Sequence, residues 1–380
     1  MSLSKRWTTP SARLRPLAAV LAATLVAVAC GDADPAVEQP DAVEDETGPG
    51  DDTPPEDLPE QVTLVLVTHD SFDVEEEVLA TFTEQTGVRV DIAPAGDAGA
   101  TVNQAILTKD APLGDVLFGV DNTFLSRALD EELFVAYESP ALADVDPQFV
   151  LDEEHRVTPV DFGDVCLNYD RAWFEESDLE VPASLQDLTS ETYAGLLTVM
   201  NPATSSPGLA FLLATVEEFG EDGYLDFWSD LRANDVLVTD GWSEAYYEEF
   251  SATGEGDRPL VVSYASSPPA EVYFADPQPD EPPTGVIEAS CFRQVEFAGI
   301  LQGTEHEDEA RLLIDFLLSR EFQENLPLTM FVFPVVTDAQ LPEVFATHAV
   351  VPDDAYQLEP DAIGEGREEW IDGWTRTVIR

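Results

Sequence analysis

After residue 60 the chain alternates short apolar runs with segments whose apolar residues recur at helical spacing. Residues 62–67 (VTLVLV) form a continuous apolar run, the pattern of a strand buried on both faces. Residues 74–82 place apolar side chains on one face of a predicted helix. Predicted strands at 88–92 and 115–119 follow, separated by a helix at 100–108. Such alternation predicts a mostly parallel sheet covered by helices.

A second region with the same alternation runs from residue 166 to residue 289. It contains predicted strands at 196–200 and 259–263 and a predicted helix at 208–219, after which the chain returns to the first region. We therefore predict an α/β fold with two lobes, in which two mostly parallel sheets are flanked by helices and joined by a hinge. The predicted division assigns residues 61–165 and 290–380 to lobe 1 and residues 166–289 to lobe 2.

The N-terminus has the pattern of an export signal. Four basic residues precede an apolar run at 17–29, which is too short to span a bilayer comfortably. Small residues directly before Cys30 resemble a bacterial lipobox, so we predict a signal peptide at 1–29 and lipidation of Cys30. A plain secretory signal with an incidental cysteine is the alternative. Residues 30–60 are rich in Pro, Gly, Asp and Glu, which predicts an acidic tether. The predicted location is extracytoplasmic, with the lipid as the only attachment to the cell membrane.

The net charge of the chain indicates which classes of partner it can bind. The chain has 17 Lys and Arg against 77 Asp and Glu, a net charge of −60. Nucleic acid is excluded as a partner because phosphate backbones are bound by clustered basic residues. A strongly negative protein attracts cations and cationic small molecules instead. The acidic surface is otherwise a solvated face, and an adaptation to salt is an open alternative.

Sequence patterns for catalysis and for metal binding are missing after residue 60. His69, His155, His306 and His348 are scattered, without HExxH or CxxC spacing. No GxSxG nucleophile motif occurs there, and the first strand–helix turn lacks GxGxxG. We therefore predict no catalytic residue, no metal and no cofactor, and regard an exported hydrolase or adhesion domain as a weaker alternative.

Five short motifs follow one another in the folded part: THDSF at 68–72, GVDN at 119–122, NPATSSPGL at 201–209, GWSEAY at 241–246 and VSYASSP at 262–268. In this order and spacing they resemble the thiamine-binding periplasmic proteins of bacterial thiamine ABC transporters. The resemblance extends from about residue 62 to residue 380. It implies a type II periplasmic-binding-protein fold, a ligand held between the lobes, and delivery to an ABC permease and its ATPase by a monomeric protein.

The resemblance also implies a set of ligand contacts. A thiazolium is a permanent cation with a π face, which aromatic rings can stack on and stabilise by cation–π attraction. Carboxylates can balance its charge, and N–H groups at a predicted helix start after 205–206 can donate to a hydroxyl or a phosphate oxygen. The ligand expected is thiamine or a thiamine phosphate. The predicted contacts are Asp97, Ala98, Ser205, Ser206, Trp242, Tyr264, Ala265, Ser266, Ser267 and Pro268, with Asp70, Asp121 and Phe331 in addition.

Each contact has a structural alternative. Trp242 could pack in the core, and Tyr264 could be a rim tyrosine, although it ends a strand at the edge where α/β proteins usually bind ligands. Asp97 and Asp121 could simply cap helices.

The sequence also departs from the family, which often has aromatic residues where this chain has His69, Glu76 and Ala270, and Trp where it has Phe331.

Two further pairs of residues have side chains with possible functional chemistry. A binding protein of the same fold for Fe(III) is the alternative, and Tyr246 and Tyr247 are a possible tyrosine pair for the metal. Adjacent residues on a helix point about 100° apart, however, which makes these two tyrosines poor joint ligands. Cys166 and Cys291 both lie at predicted lobe crossings, so in an exported protein they are expected to form a disulfide, with two buried thiols as the alternative.

Overall fold

A computed structural model describes residues 61–380, so the predictions for the signal peptide, Cys30 and the tether lie outside the described residues. The strands of this part form a ten-stranded sheet. They are β1 (Thr63–Thr68), β2 (Arg89–Pro94), β3 (Val116–Asp121), β4 (Phe134–Val135), β5 (Thr158–Asp170), β6 (Leu197–Met200), β7 (Leu237–Thr239), β8 (Leu260–Tyr264), β9 (Thr284–Leu301) and β10 (Phe333–Pro334).

Helices cover the sheet and connect its strands. They are α1 (Glu76–Thr86), α2 (Ala98–Leu107), α3 (Leu125–Asp130), α4 (Arg171–Ser177), α5 (Ser206–Ala233), α6 (Trp242–Glu244), α7 (Pro268–Tyr273), α8 (Glu307–Leu317), α9 (Arg320–Thr329), α10 (Glu343–His348) and α11 (Pro360–Trp374). A π-helical turn, Ala245–Glu249, continues α6 directly. No helix of residues 61–380 is both long and apolar enough to cross a membrane.

The sheet has two halves that share two long strands. Its main order is β2-β1-β3-β9-β5-β8-β6-β7. In the first half β1 pairs in parallel with β2 and β3, and in the second half β6 pairs in parallel with β7 and β8. Between them β9 pairs antiparallel with β3 and β5, and β5 pairs antiparallel with β8. The predicted α/β fold is confirmed, but the two predicted sheets are one, because β5 and β9 are long enough, at 13 and 18 residues, to pair in both halves.

Two large hydrophobic clusters hold this arrangement. One packs α1, α8 and α9 against the first half of the sheet, around Phe82, Phe118 and Phe322. The other centres on α5 and extends under both halves. The ring of Trp374 meets Trp228 of α5 edge-on at 5.6 Å, so the C-terminal segment packs against α5. The predicted limits of the two lobes stay a prediction.

A disulfide links the two shared strands. Cys166 of β5 and Cys291 of β9 have their sulfur atoms bonded at 2.00 Å, and both residues are fully buried. Ala265 packs against this pair at the end of β8. The bridge therefore holds β5 and β9 together where they pass between the halves.

Candidate functional site

A cleft of about 350 Å³ opens where strands of both halves end. His69 follows β1, Asp97 follows β2, Trp242 follows β7 and Tyr264 ends β8. The carboxyl ends of parallel strands are where α/β proteins usually place their ligands, because the connecting loops leave a crevice there. The lining consists of His69, Asp70, Ser71, Asp73, Asp97, Ala98, Ser206, Pro207, Trp242, Ser243, Tyr246, Tyr247, Tyr264, Ser267, Ala270, Phe274, Glu296, Thr329, Met330, Phe331 and Val332.

Aromatic rings of the second half form one wall of the cleft. Trp242 stacks on Tyr246 with ring centroids 5.0 Å apart and an angle of 17° between the planes. The Tyr264 ring stands at 63° to Trp242, with centroids 6.3 Å apart. The indole Nε1 of Trp242 donates to the Ser263 hydroxyl at 3.0 Å, which fixes the ring. Burial raises the pKa of Tyr264 well above its ordinary value, and carboxylates led by Glu296 add to this, so the ring stays neutral.

Asp97 connects the first half of the sheet to the second. Its Oδ1 accepts the backbone N–H of Ser206 at 3.1 Å, and its Oδ2 accepts the backbone N–H of Trp242 at 3.2 Å. Burial raises the pKa of Asp97, while these two N–H donors lower it in part. The N–H of Ser206, which we expected to be free for a ligand, is therefore already bonded. The Ser205 hydroxyl caps α5 by accepting the N–H of Gly208 at 3.4 Å, so it is engaged as well.

Three carboxyl groups lie in one row across the sheet. Glu296 of β9 is the register partner of Asp121 on β3 and of Asp161 on β5. Residues directly opposite on neighbouring strands point to the same face, so the three side chains are close. Burial, followed by the charge of Glu296, raises the pKa of Asp161 well above its ordinary range. Of the three, only Glu296 borders the cleft.

His69 faces Glu296 inside the cleft. The imidazole Nε2 lies 3.5 Å from Oε1 of Glu296, and both side chains are about nine-tenths buried. Burial by itself lowers the pKa of His69, but Glu296, with Asp97 and Asp70 adding to it, raises the pKa above its ordinary value. Gly119 makes room for this ring, because a Cβ at that position would collide with the imidazole, and its φ of 96° suits glycine.

Asp121 belongs to a buried network below the cleft. Its carboxylate accepts the hydroxyls of Ser206 and Thr123 and the side-chain amide of Gln294. Burial raises its pKa to about 6 in spite of these donors. Asp121 thus joins the end of β3 to the start of α5, and it does not border the cleft.

The predicted contacts fall into two groups. Eight border the cleft: Asp70, Asp97, Ala98, Ser206, Trp242, Tyr264, Ser267 and Phe331. Five are buried and do not border it: Ser205, Ala265, Ser266, Pro268 and Asp121. A direct ligand contact at any of these positions stays a prediction.

Sequence reasoning missed several residues of the lining. Glu296 lies in the part of the chain that the resemblance covers, but nothing in a single strand reveals its acidic neighbours on β3 and β5. Phe274 is exposed and meets Phe331 across the mouth at 5.6 Å, with Phe331 in a left-handed conformation at φ 55°. Of the departures from the family, His69, Ala270 and Phe331 border the cleft, whereas Glu76 is exposed on α1 and does not.

Tyr246 and Tyr247 both border the cleft, although their helical spacing predicted divergent side chains. Their rings are perpendicular, and the Tyr246 hydroxyl donates to Oε1 of Glu271 at 3.1 Å. Within residues 61–380 no group of three or more His, Cys, Asp and Glu is placed to hold a metal ion.

The family model of bacterial extracellular solute-binding proteins matches residues 111–355. The chain belongs to this family. It is 28% identical over 327 residues to the thiamine-binding periplasmic protein of Salmonella typhimurium, covering 83% of this chain and 94% of that one. The protein of the same name from Escherichia coli K12 is 26% identical over 321 residues, with coverage of 83% and 94%.

Solved structures show the same fold. A periplasmic thiamin binding protein superimposes with a TM-score of 0.73 at 26% identity, covering 84% of this chain and 96% of that one. Iron-bound HitA from Pseudomonas aeruginosa superimposes with a TM-score of 0.68 at 21% identity, covering 83% and 99%. The second likeness is one of fold alone.

Proposed function

We propose that this solute-binding protein captures thiamine in the cleft and delivers it to an ABC permease and its ATPase. One observation carries the proposal: the aromatic wall of Trp242, Tyr246 and Tyr264 faces the same cleft as the carboxylates of Asp70, Asp73, Asp97 and Glu296. A planar organic cation can stack on the aromatic rings, and the carboxylates attract its positive charge. The names of the relatives with 94% coverage support the same ligand.

Binding is proposed to close the two halves over the ligand. Asp97 comes from the first half, and Trp242 and Tyr264 come from the second, so a ligand that touches all three favours the closed form. The N–H bonds from Ser206 and Trp242 to Asp97 bridge the halves in that form. The permease then recognises the closed protein, and the cleft performs no chemical step.

Fe(III) is the second candidate. Three tyrosines border the cleft, Tyr246, Tyr247 and Tyr264, and proteins that bind iron share the fold. Phenolate ligands need deprotonated tyrosines, and burial, followed by the charge of Glu271, raises the pKa of Tyr246 well above its ordinary value.

Calorimetry of the purified protein with thiamine and with Fe(III) citrate tests the proposal. We expect one thiamine per protein with sub-micromolar affinity and no specific heat with iron. Trp242→Ala should weaken thiamine binding by about 1–3 kcal/mol through lost stacking and burial. Trp173→Ala is the matched control, because Trp173 is also half-buried but lies on α4, outside the cleft. Equal affinity of both variants would remove Trp242 from the site, and binding of iron alone would reject thiamine.

We further propose that the protein is a monomer held at the membrane by lipid on Cys30. The lipobox-like residues before Cys30 and the acidic composition of residues 31–60 support this. Mass spectrometry of the N-terminal peptide should find a lipidated Cys30 as the first residue. Cys30→Ser should release the protein from the membrane fraction, and an unlipidated mature N-terminus elsewhere would reject the anchor.

A further inference from the structure

A second groove, of about 620 Å³, lies between α5 and α11. Residues between 216 and 225 of α5 form one wall, and residues between 362 and 373 of α11 form the other. The helical backbone of α5 is interrupted in this wall at Gly220, with φ 71° and ψ 167°. No residue that borders this groove also borders the cleft, so the two are separate sites.

Both walls of the groove carry carboxylates. Glu217 and Glu221 come from α5, and Glu365 and Glu369 come from α11. Within residues 61–380 none of these four side chains takes part in an ion pair. Glu365 and Glu369 are four residues apart on a continuous helix, which makes them neighbours of like charge that repel each other. A bound cation would relieve this repulsion.

The single basic residue among those that border the groove, Arg376, does not neutralise it. Its guanidinium lies 3.9 Å from the carboxylate of Asp372, which is outside the lining. Four carboxylates and one guanidinium leave the lining with a net charge of −3. Because the acids stand on opposite walls, and two of them are about 6 Å apart along α11, the groove suits a ligand with several separated positive charges.

The lining also contains a buried polar group without a partner. Tyr224 is only 3% exposed, and its ring packs in the hydrophobic cluster around α5. Its hydroxyl makes no hydrogen bond within residues 61–380 and lies beside Gly373, where a Cβ would come within 2.6 Å of the oxygen. Burial, followed by the charge of Glu369, raises the pKa of Tyr224, so the hydroxyl stays protonated. Buried polar groups are normally hydrogen-bonded, so this hydroxyl indicates a ligand in the groove.

Apolar surface lies between the charged groups. Val216, Leu225 and Trp370 border the groove as well. Gly366 leaves room for the indole of Trp370, since a Cβ there would lie 2.2 Å from the ring. A ligand with methylene groups between its charges would bury them against this surface. A hard metal ion, which takes oxygen ligands, would make no use of it.

We propose that the groove between α5 and α11 is a second binding site, and that its ligand is a linear aliphatic polyamine. The ammonium groups pair with glutamates of both walls, and one of them donates to the hydroxyl of Tyr224. The methylene segments lie on the apolar surface between the glutamates. The proposal is independent of the ligand of the cleft, because the two sites share no residue.

Calorimetry of the purified protein with spermidine, at an ionic strength of about 0.15 M, tests the proposal. We expect one spermidine per protein, with the same affinity whether or not thiamine is present in saturating amounts. Failure to detect saturable binding, or displacement of spermidine by thiamine, would overturn the second site. Neither outcome bears on whether the cleft binds thiamine.

A pair of double variants separates the groove from the general acidity of the protein. Glu365→Gln with Glu369→Gln removes two charges from one wall and should weaken spermidine binding by about tenfold. Asp226→Asn with Asp230→Asn is the matched control, because it removes two exposed carboxylates, also four residues apart, from α5 outside the lining. It should change the affinity by less than about twofold. Equal losses in the two double variants would show that only the overall charge attracts the amine, and would overturn the site.

Tyr224→Phe tests the hydroxyl apart from charge. The variant keeps the buried ring and removes a group that has no partner within the described chain, so the thermal unfolding temperature without ligand should not fall. Spermidine should bind about three- to tenfold more weakly, because one hydrogen bond to the ligand is lost. Unchanged affinity in the folded variant would remove Tyr224 from the site and, with it, the observation on which the proposal rests.

Discussion

Asp97→Asn offers the sharpest test of how the two halves of the sheet are joined. The carboxylate uses one oxygen for the N–H of Ser206 and the other for the N–H of Trp242. An asparagine keeps the shape but has one acceptor oxygen, so it can hold only one of these donors. Its amide group must then face the other N–H, which leaves two donors opposed in a buried site.

The expected magnitude follows from the bond that is lost. A hydrogen bond to a charged group is worth roughly 1.5–3 kcal/mol, and a buried donor without a partner adds a further cost. These bonds bridge the two halves in the proposed closed form, so their loss appears in the affinity. The dissociation constant for thiamine should then rise by roughly 10–100-fold, at about 1.4 kcal/mol per factor of ten.

Asp70→Asn is the control that separates the loss of the two backbone N–H bonds of Asp97 from the loss of a negative charge. Asp70 borders the same cleft and carries the same charge, but it is exposed, whereas Asp97 is bonded to backbone N–H groups of the second half. Calorimetry should find Asp97→Asn clearly weaker than Asp70→Asn, with circular dichroism confirming that both are folded. Equal losses in the two variants would refute the reasoning, because the effect of Asp97 would then be its charge alone.

Two other predictions concern stability. Burial raises the pKa of Asp121 to about 6, so the folded chain binds more protons there than the unfolded chain, and this residue's contribution to stability falls as pH rises from about 4 to about 6. Asp121→Asn should flatten that part of the pH profile of thermal unfolding, and an unchanged slope would contradict the burial argument. Replacing Cys166 and Cys291 together by serine removes a link across 125 residues and should lower the free energy of unfolding by about 2–5 kcal/mol. The affinity for thiamine should stay the same, since neither cysteine borders the cleft; a large loss of affinity would mean that the bridge shapes the site.

Local patterns predicted much of the first half of the sheet. The predicted strand at 62–67 corresponds to β1 (Thr63–Thr68). The predicted strand at 115–119 begins one residue before β3 (Val116–Asp121). The predicted helix at 208–219 ends at Gly220, whose φ of 71° and ψ of 167° interrupt α5. These elements have uninterrupted apolar patterns, so neighbouring residues alone determine them.

The shared strands were harder to predict for a physical reason. Asp161 and Asp164 are buried in β5, and they break the apolar run that marks a buried strand. Glu296 does the same in β9. Of these three acids only Glu296 borders the cleft, so the residue that interrupts the apolar pattern of β9 also adds a carboxylate to the site. The bond from Asp97 to Ser206 joins residues 109 apart in sequence, and no local pattern reveals it.

The place of β9 in the sheet also sets the order in which the chain can fold. β3 has its antiparallel neighbour in β9, which begins about 160 residues later in the chain. A polypeptide synthesised from its N-terminus therefore contains β1, β2 and β3 well before the strand that completes their side of the sheet. Glu296 arrives with β9, so the lining of the cleft is incomplete until most of the protein has been synthesised.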